Sequence, residues 1–301
     1  MAGRRPGPAR RVLFAVPWSR LAGAAGLVAV SAALYWVTTD RTFAVDTTAI
    51  PIAGARYTSE VDVRVAMGLP ADRLVNVFRI PTGDLEARIE DLPSVRDATV
   101  VATLPNDLRV TLDERRPMLV WRAGDASWLV DGDGLAFASA AGVDPAELGT
   151  GATGTELPAV DDRRAGVPFG LGDVVPAVDL EVVRLLLTVT PDMVRTAAPE
   201  LYLFMDDTDG YVLEAPGAWQ AVFGPYTPVL RPPSIIPHQV QCLDALLADR
   251  GAQVTSVVLA LSDETCGTFQ ERARPRATPR GGREDAGNDG RPRGGRSTPR
   301  P

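Results

Sequence analysis

The sequence predicts an α+β protein: an N-terminal transmembrane helix, a small β-α-α-β-β module, a mixed β domain ending in a helix and a strand, and a disordered tail. Three observations predict it. Residues 21–39 form an uncharged apolar run behind an Arg cluster. Residues 76–137 combine one helical period with alternating strands and turn signals. Residues 272–301 are Arg, Gly and Pro with no apolar periodicity.

The run Leu21–Thr39 reads LAGAAGLVAVSAALYWVTT. At 1.5 Å per residue it just spans a hydrocarbon core of about 30 Å. Arg4, Arg5, Arg10, Arg11 and Arg20 precede it, so residues 1–20 are expected on the cytoplasmic side. A cleaved signal peptide is the rival reading, with Ser31-Ala32-Ala33 as small residues at a cut site. The apolar run continues through Leu34 to Val37 and argues against cleavage. A buried core helix is a third reading, and the Arg-rich leader disfavours it.

Residues 40–117 are expected to form the first outer domain. Phe43, Val45, Ile50 and Ile52 mark an extended entry that ends at Gly54. Ser59 with Asp62 three residues on resembles a capping box, and Gly68 suits the end of that helix. A second helix starts near Thr82 with Leu85, Ile89 and Leu92 on one face, and Pro93 stops it. Val95, Ala98, Val100 and Ala102 lead into the turn Pro105-Asn106-Asp107. Leu108, Val110 and Leu112 then alternate with polar residues, the pattern of a half-buried strand.

Residues 118–271 are expected to form the β domain. Met118–Trp121 and Trp128–Val130 are short apolar strands before the turn Asp131-Gly132-Asp133-Gly134. Leu201–Met205 and Tyr211–Glu214 flank a second turn, Asp207-Thr208-Asp209-Gly210. Neither turn completes the alternating ligands and closing Glu of a calcium loop. Residues 142–176 read as a long Gly-, Pro- and Ala-rich surface loop. Asp179–Leu187 is a helix candidate. Pro237–Asp249 is another, with Val240, Leu243, Leu246 and Leu247 on one face. Val254–Leu261 follows as an apolar strand.

Charge narrows the partners. All 31 basic residues are Arg, and the formal charge is −7. Residues 1–20 carry +5 and residues 272–301 carry +6, which leaves −18 on residues 21–271. So acidic a body repels phosphates, and nucleic acid is discounted as a partner. The tail cannot bury enough surface to offset its ordering entropy. Its Arg residues either touch anionic lipid or wall polymers or simply solubilise the chain.

No catalytic, cofactor or metal constellation emerges. His238 is the only His and reads as a capping or surface residue. A His238–Cys266 nucleophile pair lacks a third group and an oxyanion site. One His and two distant Cys are poor metal ligands. Cys242 and Cys266 are candidate disulfide partners in an oxidising compartment, with a buried free thiol at Cys242 as the alternative.

Several short pieces in order carry a resemblance. They are Ile52-Ala53-Gly54, Asn76-Val77-Phe78-Arg79-Ile80, Leu92-Pro93-Ser94-Val95, Pro105-Asn106-Asp107-Leu108 and Glu114-Arg115-Arg116-Pro117. Trp121 and Leu129-Val130-Asp131-Gly132-Asp133-Gly134 complete the series. The pattern resembles the POTRA and β domains of the FtsQ/DivIB family of bacterial cell-division proteins. Gly217, Trp219 and Gly224 resemble the family's Gly-rich turn. Gln239 stands near a position where the family commonly has Lys, and Val258-Leu259-Ala260 near an Asp-Leu-Arg run.

The resemblance implies a non-catalytic, single-pass scaffold without a cofactor or small-molecule substrate. Its partners would be FtsB-like and FtsL-like membrane proteins and, through them, the septal peptidoglycan synthase. The strand Val257, Val258, Leu259, Ala260 and Leu261 is the expected partner-binding edge, since an edge accepts a further strand by main-chain pairing. Two rival readings are a POTRA-bearing chaperone or secretion component and an anchored wall enzyme. The single POTRA unit counts against the first, the missing catalytic groups against the second.

Overall fold

The computed structural model describes residues 18–71, 73–141, 157–166, 168–248, 250–262 and 264–272. Residues 1–17 of the basic segment, residues 142–156 of the 142–176 loop, and the tail from residue 273 lie outside these, and so do the expectations that fall on them.

Helix α1 (Trp18–Thr39) is apolar and uncapped by charge. The window Ala22–Thr39 is long and apolar enough to cross a membrane, and none of it is buried inside the protein. Leu27, Leu34, Tyr35 and Trp36 are all exposed, which excludes the core-helix reading. The edge-on ring pair Trp36–Phe43 and the bond from Asn76 Nδ2 to the Val37 carbonyl tie its end to the first unit.

That unit opens with two short strands, β1 (Ala44–Asp46) and β2 (Ile52–Ala53). The sequence suggested one extended entry; the segment instead divides between two sheets. Helix α2 (Glu60–Met67) follows, then β3 (Leu74–Asn76), which pairs antiparallel with β1. Ser59 caps α2 by accepting from Asp62 N, and Gly68 ends it in the left-handed region. Helix α3 (Thr82–Glu90) leads to β4 (Val95–Thr103) and β5 (Asp107–Glu114), an antiparallel hairpin. Strand β2 pairs parallel with β5, so the sheet order is β2-β5-β4. Gly54, at φ +87°, follows β2 where a Cβ would strike the Leu112 carbonyl. Val63, Met67, Leu85 and Ile89 close over Val100, Leu108, Val110 and Leu112 as one core.

The second unit is a nine-stranded mixed sheet. Its strands are β6 (Pro117–Ala123), β7 (Ala126–Asp131), β8 (Ala136–Ser139), β9 (Ala159–Asp162), β10 (Tyr202–Asp206), β11 (Gly210–Ala215), β12 (Trp219–Gly224), β13 (Val254–Leu259) and β14 (Gly267–Glu271). Their order is β14-β13-β12-β11-β10-β9-β6-β7-β8. Helices α4 (Ala177–Leu186) and α5 (Ile236–Leu247) lie against it, with α5 packed on β12 and β13.

One correction concerns the 142–176 loop. It contains β9, which pairs parallel with both β6 and β10 and so joins the two halves of the sheet. Four residues, Ala-Val-Asp-Asp, carry too little pattern to announce a strand; its two neighbours make it one. Val160 is fully buried there. Asp162 is also buried, and Arg164 holds it with Asp179 in ion pairs of 2.7 and 2.9 Å. Those carboxylates raise the Arg164 guanidinium above its ordinary range, and burial raises the neighbouring Tyr211 hydroxyl.

Candidate functional site

Two features of the structure bear on binding: the junction between the units, and the end of the long sheet formed by α5, β13 and β14.

The junction is built from the Glu114-Arg115 dipeptide at the end of β5. Oε2 of Glu114 accepts from the backbone N–H of Arg56 and Tyr57, and Oε1 from that of Thr58, each at 2.8 Å. A carboxylate taking three backbone donors fixes the loop before α2 against β5. Arg115 Nε donates to the Pro93 carbonyl, and its Nη1 reaches Asp131 Oδ2 at 2.8 Å. Asp131 Oδ1 meanwhile accepts from Asp133 N and Leu135 N within its own turn. The turn that resembles a calcium loop by composition is thus a hairpin turn whose carboxylate anchors the first unit. Tyr57 packs edge-on against Phe137 across the same boundary.

At the far end, β12, α5 and β13 form a parallel crossover. Gln239 is buried on α5. Its Nε2 donates to the Ala260 and Phe223 carbonyls, and its Oε1 accepts from Tyr226 Oη at 2.6 Å. These bonds satisfy carbonyls at the ends of both parallel strands. Gln239 is therefore an internal tie, turned away from any partner. Burial pushes the Tyr226 hydroxyl above its ordinary value.

The expected partner-binding edge needs correcting. Val257, Val258 and Leu259 lie in β13, but β13 pairs with β12 on one side and β14 on the other. Val257 and Leu259 are core residues, Val258 is half exposed, and Ala260 and Leu261 fall past the strand's end. The outermost strand on this side of the sheet, among the described residues, is β14 instead; β8 ends the other side. Its sequence, GTFQE, is short and polar, so it gave little signal. Its one apolar side chain, Phe269, packs on the core beneath the Arg250 guanidinium. Gly267, at φ +116°, allows the tight return; a Cβ there would run into the Val258 carbonyl.

Cys242 and Cys266 are joined in a disulfide with their Cα atoms 5.0 Å apart. The bond fastens α5 to the residue preceding β14. His238 Nε2 lies 3.5 Å from Cys242 Sγ. The ligand atoms of His238, Cys242 and Cys266 fall within 4.8 Å of one another, but both sulfurs are already bonded. Such a trio offers neither a thiolate nucleophile nor two thiolate ligands. Val229 and Leu230 are exposed in the loop leaving the same end of the sheet.

The β-α-α-β-β unit behind an apolar helix defines a POTRA-containing protein. A family model described as "POTRA domain, FtsQ-type" matches residues 47–115. Relatives named "Cell division protein FtsQ" are similar over longer stretches. That of Koribacter versatilis is 30% identical over 86 residues, 29% of this chain and 24% of the relative. That of Caulobacter vibrioides is 30% identical over 129 residues, 43% and 38%. That of Chloroflexus aggregans is 28% identical over 142 residues, 47% and 50%. The aligned stretch spans between a quarter and a half of these relatives. Residues 47–115 are thus an FtsQ-type POTRA domain, and the chain is similar to the FtsQ family of cell-division proteins.

Proposed function

We propose that this protein is a single-pass scaffold of the bacterial division machinery, acting by binding and without catalysis. The FtsQ-type POTRA domain at residues 47–115, directly behind the span Ala22–Thr39, carries this reading. The N-terminus is cytoplasmic and the outer units face the division septum. The partners are FtsB-like and FtsL-like membrane proteins, and the recruited activity is septal peptidoglycan synthesis.

The docking surface on the β unit is the outer edge of β14. A sheet edge presents unpaired N–H and C=O groups that a partner strand can take up. The Cys242–Cys266 bond holds that edge from behind, and Thr268, Gln270 and Glu271 are exposed along it. Main-chain pairing tolerates the departures at Gln239 and at Val258-Leu259-Ala260.

An N-terminal fluorescent fusion in dividing cells of the native host tests the reading. A midcell band before constriction, with filaments on depletion, is expected. An even peripheral signal with normal division on depletion overturns it. The variant Thr268→Pro is expected to fail in rescuing depleted cells while still reaching the membrane; full rescue rejects β14 as the docking edge.

A further inference from the structure

Where α1 ends, the foot of the POTRA unit forms a cleft of about 770 Å³. Thr38 and Thr39, the last two residues of α1, line it. With α1 across a bilayer, the cleft opens at the level of the lipid headgroups. Arg41, Arg73 and Arg79 line the same cleft. Strand pairing brings the first and last of these together. Strands β1 and β3 run antiparallel with Ala44 opposite Asn76. Arg41 precedes Ala44 and Arg79 follows Asn76, so both fall at the same end of the pair. Each sits in a single 3-10 turn, Arg41–Phe43 or Val77–Arg79. Both turns are capped: Asp40 Oδ1 accepts from Thr42 N at 2.8 Å, and Asn76 Oδ1 from Phe78 N at 3.0 Å.

All three Arg residues are exposed, and none has an ion pair among the described residues. Asp40 is the one carboxylate lining the cleft among the described residues, and its own turn takes it up. The lining therefore carries positive charge without a matching anion. An apolar flank lies beside it. The rings of Trp36, Phe43 and Phe78 form a chain, with centroids 5.9 and 5.4 Å apart, that runs from α1 into the unit. Trp36, Leu74 and Phe78 are each more than half exposed. Aromatic rings favour the membrane–water interface, where an apolar body meets water at one edge.

We infer that this cleft binds the phosphodiester of an anionic lipid headgroup in the outer leaflet, held by Arg41, Arg73 and Arg79. A guanidinium fork matches phosphate oxygens two at a time. A zwitterionic headgroup offers the same phosphate but also an ammonium that the three cations repel, so the site selects net negative charge. A free phosphate meets the same cations but lacks the acyl chains that keep a headgroup at the end of α1. The bound lipid fastens the outer units to the bilayer at a second point besides α1, away from the β14 edge. The inference rests on α1 crossing the bilayer, as proposed above, and on nothing in the division role.

The test places the full chain in nanodiscs of phosphatidylcholine with rising fractions of phosphatidylglycerol and follows amide exchange by mass spectrometry. Phosphatidylglycerol is expected to slow exchange across residues 41–46 and 74–79 and to leave residues 107–114 unchanged. R79Q should raise the phosphatidylglycerol fraction needed for half the effect about fivefold, and R41Q/R73Q/R79Q should abolish it. Unaltered exchange at 107–114 in the triple variant shows that it folds. The control R109Q/R122Q, on β5 and β6, should move that fraction by less than about twofold. Slowing that survives in the triple variant, or that the control weakens equally, reduces the effect to general attraction and overturns the proposal. Inorganic phosphate added to discs of phosphatidylcholine alone should give no slowing; equal slowing makes this a free-anion site and overturns the lipid. A chain that does not stay with the discs overturns the span and the site together. A chain that stays but shows no slowing overturns the site alone.

Discussion

The POTRA unit and the nine-stranded unit lie side by side but are held together differently. In the first, two helices and a hairpin close over one core, and α2, α3 and β5 each show a local cap or period of their own. In the second, four-residue β9 joins β6 to β10, and a covalent bond fastens the far end. Redundant local order makes the small unit tolerant. The long sheet depends on a few splints whose loss propagates. Tryptophan fluorescence separates the two in a W18F/W36F background, which removes the helix tryptophans, Trp36 among them against Phe43, and leaves Trp121, Trp128 and Trp219, all in the long sheet.

The largest expected effect comes from Val160→Asp at the centre of the splint. An unpaired charge at a fully buried site costs upwards of about 4 kcal/mol. The tryptophan signal should report a disordered long sheet while amide dispersion of the POTRA residues persists. Simultaneous loss of both signals would mean that the two units fold as one.

Next comes Cys266→Ser. Opening a crosslink across 24 residues costs about 3 kcal/mol in the chain-entropy model. Urea titration should move the tryptophan transition to lower denaturant, and reductant should do the same to wild type but not to the variant. A variant as stable as wild type would show that α5 and β14 hold without the bond.

Arg115→Met addresses the boundary itself. It leaves the nearly buried Asp131 carboxylate without its cation, at a cost of about 1–3 kcal/mol. Small-angle scattering should show a wider spread of inter-unit arrangements, with each unit's own fold intact. An unchanged scattering profile would assign the boundary to Glu114 and the Tyr57–Phe137 contact instead.

The smallest is Ser59→Ala, which removes the α2 cap and costs about 1 kcal/mol. It should lower the POTRA melting transition by a few degrees and leave the tryptophan transition where it was.

What could be read from the chain alone follows from the range of each interaction. Ser59, Gly68, Leu85, Ile89 and Pro93 mark α2 and α3 because capping and helical period act within one or two turns. The alternation of Leu108, Val110 and Leu112 marks β5 for the same reason, and the uncharged run before Asp40 marks α1. The strand at Ala159–Asp162 could not be read, since its identity lies in two neighbours about 40 residues away on either side. Nor could β13 be told from an edge. An apolar strand looks alike at an edge or one place inward, and the polar segment Gly267–Glu271 decides between them by pairing with it. The backbone N–H groups of Ala98 and Val100 in β4 donate to Glu90 and Glu86 of α3, a match that likewise needed the helix laid beside the strand. Sequence determined where α1, α2, α3, α5 and the β4–β5 hairpin form, and that α1 is long and apolar enough to cross a membrane, through forces that act along the chain. Only tertiary structure decided which strands face solvent at an edge, because that depends on main-chain groups brought together from distant segments.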